Sequence, residues 1–411
     1  MCQAQGAHGN APGELRNGRR QIKFQSRRLL ARGQRMILAD VADFRTAARR
    51  RLPHFLFEYI DGGSYQQVSL ARNVADLAQL SLDQRVLRDV SAVDPSVTLF
   101  GQRFSLPLIL APVGLAGLNA RRGEVQAARA ALAAGTVLCL STVSACSIEE
   151  VSAGSGHPPW FQLYMLRDRG FVAAMLQRAA TANCPALVFT VDLPVPGARY
   201  RDRRSGLTGA PGLAGDLRRL GQALARPRWC WDVGLLGRPL TLGNVAGVLG
   251  SGTPLGDFLG WLADNFDPAA SWADLEWVRQ LWKGPLIVKG ILHPDDARAA
   301  AAIGVDGIVV SNHGGRQLDG AFSAVAALPG IVDAVGGSVK ILADGGVRSG
   351  LDILRYRALG ADAVLAGRPW VWALAAAGER GVAQLLSMFD AELRVAMALT
   401  GQTRFGPSLH S

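Results

Sequence analysis

The chain has 411 residues, 49% of them hydrophobic and 19% charged, enough for one large or two ordinary globular domains with a substantial core. Its formal charge of +11 would suit nucleic acid or an anionic membrane, but residues 1–35 hold eight Lys or Arg against one acid, Glu14, so a net +7 sits in this stretch and only +4 in the rest. With no aromatic platform or groove-reading motif beside the charge, a nucleic-acid protein is argued against.

Residues 1–35 are rich in Gly and Arg and lack apolar periodicity, so they read as a disordered basic leader. A translation start assigned too early accounts for them, since an ordinary amphipathic pattern begins at Met36. Five cysteines, Cys2, Cys139, Cys146, Cys184 and Cys230, are an odd number without metal-ligand spacing. Neither a disulfide framework nor a metal site is expected, and a reducing cytoplasm fits. The N-terminus lacks a signal peptide's apolar stretch. The uncharged segment from Ala130 to Ile148 is as long as a membrane span, but Gly135 interrupts it and Ser and Thr lace it, so it reads as a helix end followed by a buried strand.

In chain order, residues 36–105 read as an N-terminal helical cap, with "VADFRTAARRRLPHFLFEYIDGG" as its clearest helix. Eight short apolar runs follow: "LPLILAPVG" (106–114), "VLCLSTV" (137–143), "WFQLY" (160–164), "ALVFTVD" (186–192), "PLIVKG" (285–290), "GIVVSNH" (307–313), "VKILADGG" (339–346) and "AVLAGR" (363–368). Each can be a strand buried on both faces, and the stretches between them, such as "RRGEVQAARAALAAG", "DRGFVAAMLQRAATA", "PDDARAAAAIG" and "GLDILRYRALG", have helical period. Eight such units predict an α/β fold, a (β/α)8 TIM barrel. A doubly wound open sheet is the runner-up, but "APVGLAG" does not supply its Gly-x-Gly-x-x-Gly turn. Residues 36–401 thus form a single domain, with a long excursion after the fourth strand at 193–271 and a tail at 402–411.

Polar residues gather at the C-terminal ends of these runs: Ser141, Gln162, Tyr164, Thr190, Asp192, Lys289, His313 and Asp344. Barrel enzymes place their chemistry on that face. In "SNHGGR", His313 is followed by glycines that let backbone approach a ligand and by Arg316, whose fork suits a carboxylate.

These motifs, "SNHGGRQLDG" with "TVDLPVPGARYRDRRSG", "STVSACSIEEV", "WFQLYMLRDRGF" and "ILADGGVRSGLDILRYRALGADAVLAGR", resemble the FMN-dependent L-2-hydroxy-acid oxidising family, and within it the quinone-dependent bacterial branch that acts on L-lactate. The resemblance runs from about Met36 to Gly401. It implies His313 as catalytic base and Asp192 as the carboxylate that orients the imidazole and favours its protonated form. It implies Arg316 and Arg199 for the substrate carboxylate, with Tyr59 and Tyr164 as phenols that hydrogen-bond the substrate. Lys289 matches the cation near the flavin pyrimidine ring, where it stabilises the negative reduced flavin. Ser141, Gln162 and Thr190 match polar contacts to the ring, and Pro112, Val113 and Gly114 the backbone along it.

"DGGVRSG" and "AGRPW" occupy the loops where barrels commonly bind phosphate. Gly345, Gly346, Gly367, Arg348 and Arg368 would hold a monophosphate, and Asp344 matches a contact to the ribityl region. The implied reaction is oxidation of L-lactate to pyruvate with FMN reduced. Two routes are open: His313 takes the hydroxyl proton as hydride leaves the α-carbon, or it takes the α-proton to leave a carbanion.

No haem signature and no nicotinamide turn appears, so electrons leave to oxygen, a soluble carrier or a membrane quinone, and the resemblance implies the quinone and the respiratory chain. In residues 206–265, Arg218, Arg219, Arg226 and Arg228 stand beside Trp229 and Trp231, a mixture suited to an anionic bilayer interface. The resemblance implies that this region is the membrane contact, with peripheral attachment to the cytoplasmic face of the bacterial inner membrane, and it implies a homotetramer, although "GLTGAPGLAG" also reads as plain flexible loop. The rival readings are an oxygen-using oxidase of the same family, acting on lactate, glycolate or mandelate, and a non-catalytic flavin- or phosphate-binding barrel.

Overall fold

Eight parallel strands follow one another around a closed ring, as the apolar runs predict. In the computed structural model, which describes residues 37–208, 212–245 and 264–406, they are β3 (Leu108–Leu110), β4 (Cys139–Ser141), β5 (Trp160–Tyr164), β6 (Leu187–Thr190), β7 (Leu286–Ile291), β8 (Gly307–Val310), β9 (Lys340–Asp344) and β10 (Ala363–Ala366). They pair in the order β3-β10-β9-β8-β7-β6-β5-β4. A parallel bridge between Leu110 and Leu138 joins the two ends, and the Leu110 amide donates to the Val137 carbonyl at 3.0 Å. The sheet therefore has no edge, and the fold is a (β/α)8 barrel rather than an open doubly wound sheet. The basic leader lies outside the described residues, and from Asp40 onward the described residues form one compact unit.

Side chains alternate along each strand. Ile109, Cys139, Trp160, Val188, Ile287, Val309, Leu342 and Leu365 share one buried core inside the ring, while the intervening residues, among them Leu110, Leu140, Phe161, Phe189, Val288 and Ile308, are buried on the outer face. Both faces being dry explains why the runs read as continuously apolar.

The region before the barrel departs from an all-helical cap. Pro53 splits "VADFRTAARRRLPHFLFEYIDGG" into two helices, Val41–Arg51 and His54–Asp61, because proline donates no N–H and its predecessor avoids helical backbone. Leu52 is accordingly extended, with ψ of 148°. After a third helix, Val68–Gln79, an antiparallel hairpin of β1 (Val97–Leu99) and β2 (Gln102–Phe104) closes the N-terminal end of the barrel. Phe100 and Phe104 stack edge-on against Trp160, with ring centroids 5.7 and 5.9 Å away.

The excursion after β6 is also more ordered than its glycines suggest. Residues 209–211 and 246–263 lie outside the described residues, but Tyr200–Ser205 and Gly212–Leu224 are helices. The excursion is pinned to the rest of the unit: Trp229 Nε1 donates to the Leu118 carbonyl at 2.8 Å, Arg226 Nε donates to the Leu52 carbonyl at 3.0 Å, and Arg51 pairs with Asp232 at 2.8 Å. Among the described residues no helix is long and apolar enough to cross a membrane.

Candidate active site

The alternation that fills the barrel with apolar side chains also delivers polar ones to its mouth. Two residues beyond Cys139, Trp160, Val188, Ile287, Val309 and Leu342, on the same face, stand Ser141, Gln162, Thr190, Lys289, Ser311 and Asp344, all buried. Above them opens a cavity of about 700 Å³. Its walls include Tyr59, Pro112, Val113, Gly114, Tyr164, Arg199, Lys289, His313, Arg316, Asp344, Gly345, Gly346, Arg348, Gly367 and Arg368. Four of the residues singled out from the sequence do not reach that wall. Ser141, Gln162 and Thr190 lie in the layer beneath it, and Asp192 stands behind His313.

His313 Nδ1 lies 2.8 Å from Asp192 Oδ1. The ionised carboxylate fixes the Nδ1–H tautomer and leaves Nε2 with its lone pair. Burial lowers the His313 pKa, and the pull of Asp192 in the other direction does not overcome it. Asp192 thus favours the charged form, as expected, but burial decides the balance and leaves the imidazole mainly neutral at pH 7. Burial alone would raise Asp192, but His313 and Lys289 outweigh it and hold its carboxyl below the usual range. His313 itself adopts a left-handed backbone, with φ of 57°, which only glycine takes without strain.

Lys289 Nζ sits 3.1 Å from Asp344 Oδ2 and donates to Ser311 Oγ at 2.9 Å. Burial opposes its charge, yet Asp344 and Asp192 keep its pKa raised, so it is a fixed cation on the cavity floor.

The arginines are the opposite case. Arg316 Nη1 donates to the carbonyls of Tyr59 at 2.6 Å and Gly62 at 2.9 Å, and its guanidinium lies 4.9 Å from the Tyr59 ring centre. Arg368 donates to the carbonyls of Gly314 at 3.0 Å and Gly62 at 2.8 Å. Arg199 reaches a carboxylate, Asp202, only at 4.0 Å. Burial, and then the neighbouring Arg199, pushes Arg316 down to about 10. Burial brings Arg348 down to about 10 as well, and burial with the charges of Arg316 and Arg348 takes Arg368 well below its usual value. Buried cations held mainly by neutral carbonyls are costly unless an anion joins them.

Sequence reasoning missed Ser311, Asp202 and the Gly62 carbonyl. The two-residue alternation along β8 would have found Ser311. Nothing in one sequence marks a backbone carbonyl as an acceptor.

The profile of FMN-dependent dehydrogenases matches residues 48–407. The L-lactate dehydrogenase of Caulobacter sp. (strain K31) is 64% identical over 366 residues, 89% of this chain and 96% of that one. The chain belongs to the FMN-dependent dehydrogenase family. The L-lactate dehydrogenase of Alcaligenes faecalis is 59% identical over 365 residues, 89% of this chain and 96% of that one. A crystal structure of mandelate oxidase with (S)-4-hydroxymandelic acid superposes with a TM-score of 0.78 at 41% identity, covering 90% of this chain and 96% of that one.

As a member of the FMN-dependent dehydrogenase family the protein takes FMN as cofactor, and the barrel mouth fits that group. Gln162 Nε2, Thr190 Oγ1, Asp344 Oδ1 and Arg368 Nε are buried without a partner among the described residues, and such orphaned polar atoms suit the polar edge, ribityl hydroxyls and phosphate of that group. A Cβ on Gly114 would lie 2.8 Å from Val143 Cγ2, so only glycine leaves that wall this low. Gly345 and Gly346 have φ of 94° and 82° and turn the chain after β9. Helix Arg368–Ala377 opens directly after β10, with Pro369 in its first turn. Its N-terminus and the guanidinium groups of Arg348 and Arg368 line the same cavity and could hold one phosphate monoester.

Proposed function

We propose that the protein oxidises L-lactate to pyruvate, with His313 as the base, and passes the electrons to a membrane quinone. The observation that carries this reading is the 2.8 Å contact between His313 and Asp192 beside the same cavity as Arg316, Arg199, Tyr59 and Tyr164. Bound FMN supplies the two-electron acceptor. Arg316 and Arg199 bind the substrate carboxylate, and the substrate's negative charge compensates two guanidinium groups that the protein leaves without close carboxylate partners. The Tyr59 and Tyr164 hydroxyls hold the carbinol; burial raises the Tyr164 phenol, so it stays a donor. His313 Nε2 accepts either the hydroxyl proton as the α-hydrogen leaves with its electron pair, or the α-proton while the electron pair stays on carbon, and Asp192 stabilises the imidazolium so formed. Lys289 holds positive charge on the cavity floor as electrons arrive. Gly345, Gly346, Gly367, Arg348 and Arg368 hold the cofactor phosphate, Asp344 its ribityl chain, and Ser141, Gln162, Thr190 and the Pro112–Gly114 backbone its ring.

A non-catalytic binding barrel would not need an imidazole oriented by a buried carboxylate at the cavity wall. The names of the relatives, L-lactate dehydrogenases at 59% and 64% identity, support lactate over mandelate, the substrate that titles the 41% identical oxidase structures. Anaerobic addition of L-lactate to the purified flavoprotein should bleach the flavin's visible band, and D-lactate should leave it unchanged. Bleaching by neither sinks the assignment of substrate.

The electron acceptor rests on the excursion. Leu213, Leu217, Leu220 and Leu224 lie along one face of helix Gly212–Leu224 at spacings of three and four residues and are each between 53% and 75% exposed. Trp231 adds a fifth large apolar side chain at 63%, with Arg218 and Arg228 nearby in sequence. Such a face suits the plane of an anionic bilayer at the cytoplasmic surface of the inner membrane. An oxygen-using oxidase is the second reading, favoured by the likeness to mandelate oxidase. Dye-coupled against oxygen-coupled turnover separates them.

A further inference from the structure

The loop that carries His313 holds an expensive conformation. Three successive residues, His313, Gly314 and Gly315, have φ of 57°, 62° and 72°. Two of them are glycines, but the histidine is strained, and such strain persists only where the surroundings over-determine the backbone. The loop's own bonds include a 3.0 Å donation from the His313 amide to Ser311 Oγ and a Gly315 amide shared between the Asn312 backbone carbonyl and Asn312 Oδ1, each at 3.0 Å. The bond to Oδ1 depends on how the Asn312 side chain is held.

Asn73, on helix Val68–Gln79, holds it. Asn73 Nδ2 donates to Asn312 Oδ1 at 2.8 Å, and Asn312 Nδ2 donates back to Asn73 Oδ1 at 2.8 Å. Both residues are buried, and neither lines the cavity. Asn312 Nδ2 also donates to the Phe322 carbonyl at 3.1 Å, so the ring of two amides ties both ends of the loop to one helix. The other side of Asn73 abuts the glycine turn after β9. A Cβ on Gly346 would fall 2.1 Å from the Asn73 carbonyl oxygen, and one on Gly345 would fall 3.2 Å from its side chain. Farther along the loop, Asp319 accepts from the Ser69 and Gln66 amides at 2.8 and 3.1 Å, capping the same helix.

We propose that Asn73 is a positioning residue for the reaction: through its reciprocal amide pair with Asn312 it sets the His313 loop, and hence the imidazole, against the cofactor and the substrate. Asn73 touches neither the cavity nor the reacting atoms. The inference rests on the reading of His313 as base.

The test compares Asn73→Ala, Asn73→Asp and His313→Gln as holoenzymes. Removing the side chain leaves one Asn312 N–H without an acceptor and Asn312 Oδ1 with the Gly315 amide alone, and a displacement of the base by about 1 Å costs on the order of a hundredfold in rate. Asn73→Ala should therefore retain stoichiometric FMN and a KM for L-lactate within about twofold, while the rate of flavin bleaching falls about 10- to 100-fold. Asn73→Asp keeps the shape of the side chain. Its carboxylate still accepts from Asn312 Nδ2 but repels Asn312 Oδ1, whereas its protonated form donates and accepts as the amide does. The groups directly against it are the Asn312 amide and the Gly345 and Gly346 turn; the charged side chains bonded on or to its helix are Asp76, held by Ser323, Arg72 on the Ala321 carbonyl, Arg355 on the Leu80 carbonyl and Asp319 on the Ser69 amide, and all four are kept in the variant. The rate of this variant relative to the wild type should therefore recover as the pH falls from about 8 toward the carboxyl range, and that of Asn73→Ala should not.

A bleaching rate for Asn73→Ala within about twofold of the wild type overturns the proposal. So does a loss that follows FMN content or KM instead of the bleaching step, or an Asn73→Asp ratio independent of pH. If His313→Gln bleaches as fast as the wild type, the base assignment itself fails. If His313→Gln is slow and Asn73→Ala is fast, only the role of Asn73 fails.

Discussion

Arg316 and Arg368 share one acceptor, the carbonyl oxygen of Gly62, at 2.9 and 2.8 Å. The guanidinium assigned to the substrate carboxylate and the one assigned to the cofactor phosphate are thus braced on the same backbone atom, at the C-terminal end of helix His54–Asp61. A Cβ on Gly62 would lie 2.7 Å from the Glu58 carbonyl oxygen, so Gly62→Ala must shift the backbone that carries this acceptor. It should weaken FMN and lactate binding together. Arg316→Met should raise KM for lactate by about 10- to 100-fold through loss of a charge-assisted pair and leave FMN content unchanged. Flavin titration and steady-state kinetics on both variants check the contrast, and a Gly62→Ala protein altered in only one affinity contradicts the shared brace.

Replacing His313 by Gln removes the base but not the cavity's donors. Turnover should fall by roughly two to four powers of ten, with flavin still bound. Loss of flavin at unchanged specific activity of the remaining holoenzyme would count against the role.

The pH profile has a definite sign. A base must be neutral to accept a proton, and burial lowers the His313 pKa from its ordinary value against the pull of Asp192. The kcat/KM for lactate should therefore be lost as pH falls through an ionisation below about 6.5 and be level above it. In Asp192→Asn the partner that raises the His313 pKa is gone, so the inflection should move to still lower pH while the level rate falls, because Nδ1–H is no longer fixed by a carboxylate. An inflection that moves upward in Asp192→Asn would show that the pair does not work this way.

The parts of this arrangement that one sequence reveals are those set by local rules. Eight doubly buried strands read as apolar runs, helix ends read as glycines, and strand-end polar residues such as Lys289, His313 and Asp344 gather because alternation sends every second side chain inward. Pro53 was a visible helix break that the long apolar stripe of residues 41–63 concealed. Helix Gly212–Leu224 was hidden by Gly212, Gly215 and Gly221, whose low propensity outweighed a readable leucine spacing. The pairing of Asn73 with Asn312 spans 239 positions. Such contacts come only from tertiary structure, as do the buried charges of Arg348 and Arg368.

The barrel floor offers a stability test remote from the chemistry. Trp160 is fully buried between Phe100 and Phe104 of the closing hairpin. Trp160→Ala leaves a cavity and should cost about 3–5 kcal/mol of unfolding free energy. Its folded fraction should keep a KM for lactate near that of the wild type, since the active-site cavity opens at the other end. Denaturant unfolding followed by flavin fluorescence measures the first effect, and kinetics at low temperature the second.

The proposed membrane contact rests on four leucines, Leu213, Leu217, Leu220 and Leu224, each between 53% and 75% exposed. Burying an exposed leucine in a bilayer interface is favourable by up to about 1.5–3 kcal/mol, so replacing Leu217 and Leu220 by Asp should reduce binding to anionic vesicles by tenfold or more, both by lost apolar area and by added like charge. Neither residue lines the active-site cavity, so lactate oxidation with a soluble dye should be unchanged. Turnover with a quinone embedded in those vesicles should fall in parallel with binding. Equal flotation of the variant and the wild type would remove helix Gly212–Leu224 from the membrane contact. Equal quinone turnover despite lost flotation would separate the electron acceptor from the bilayer.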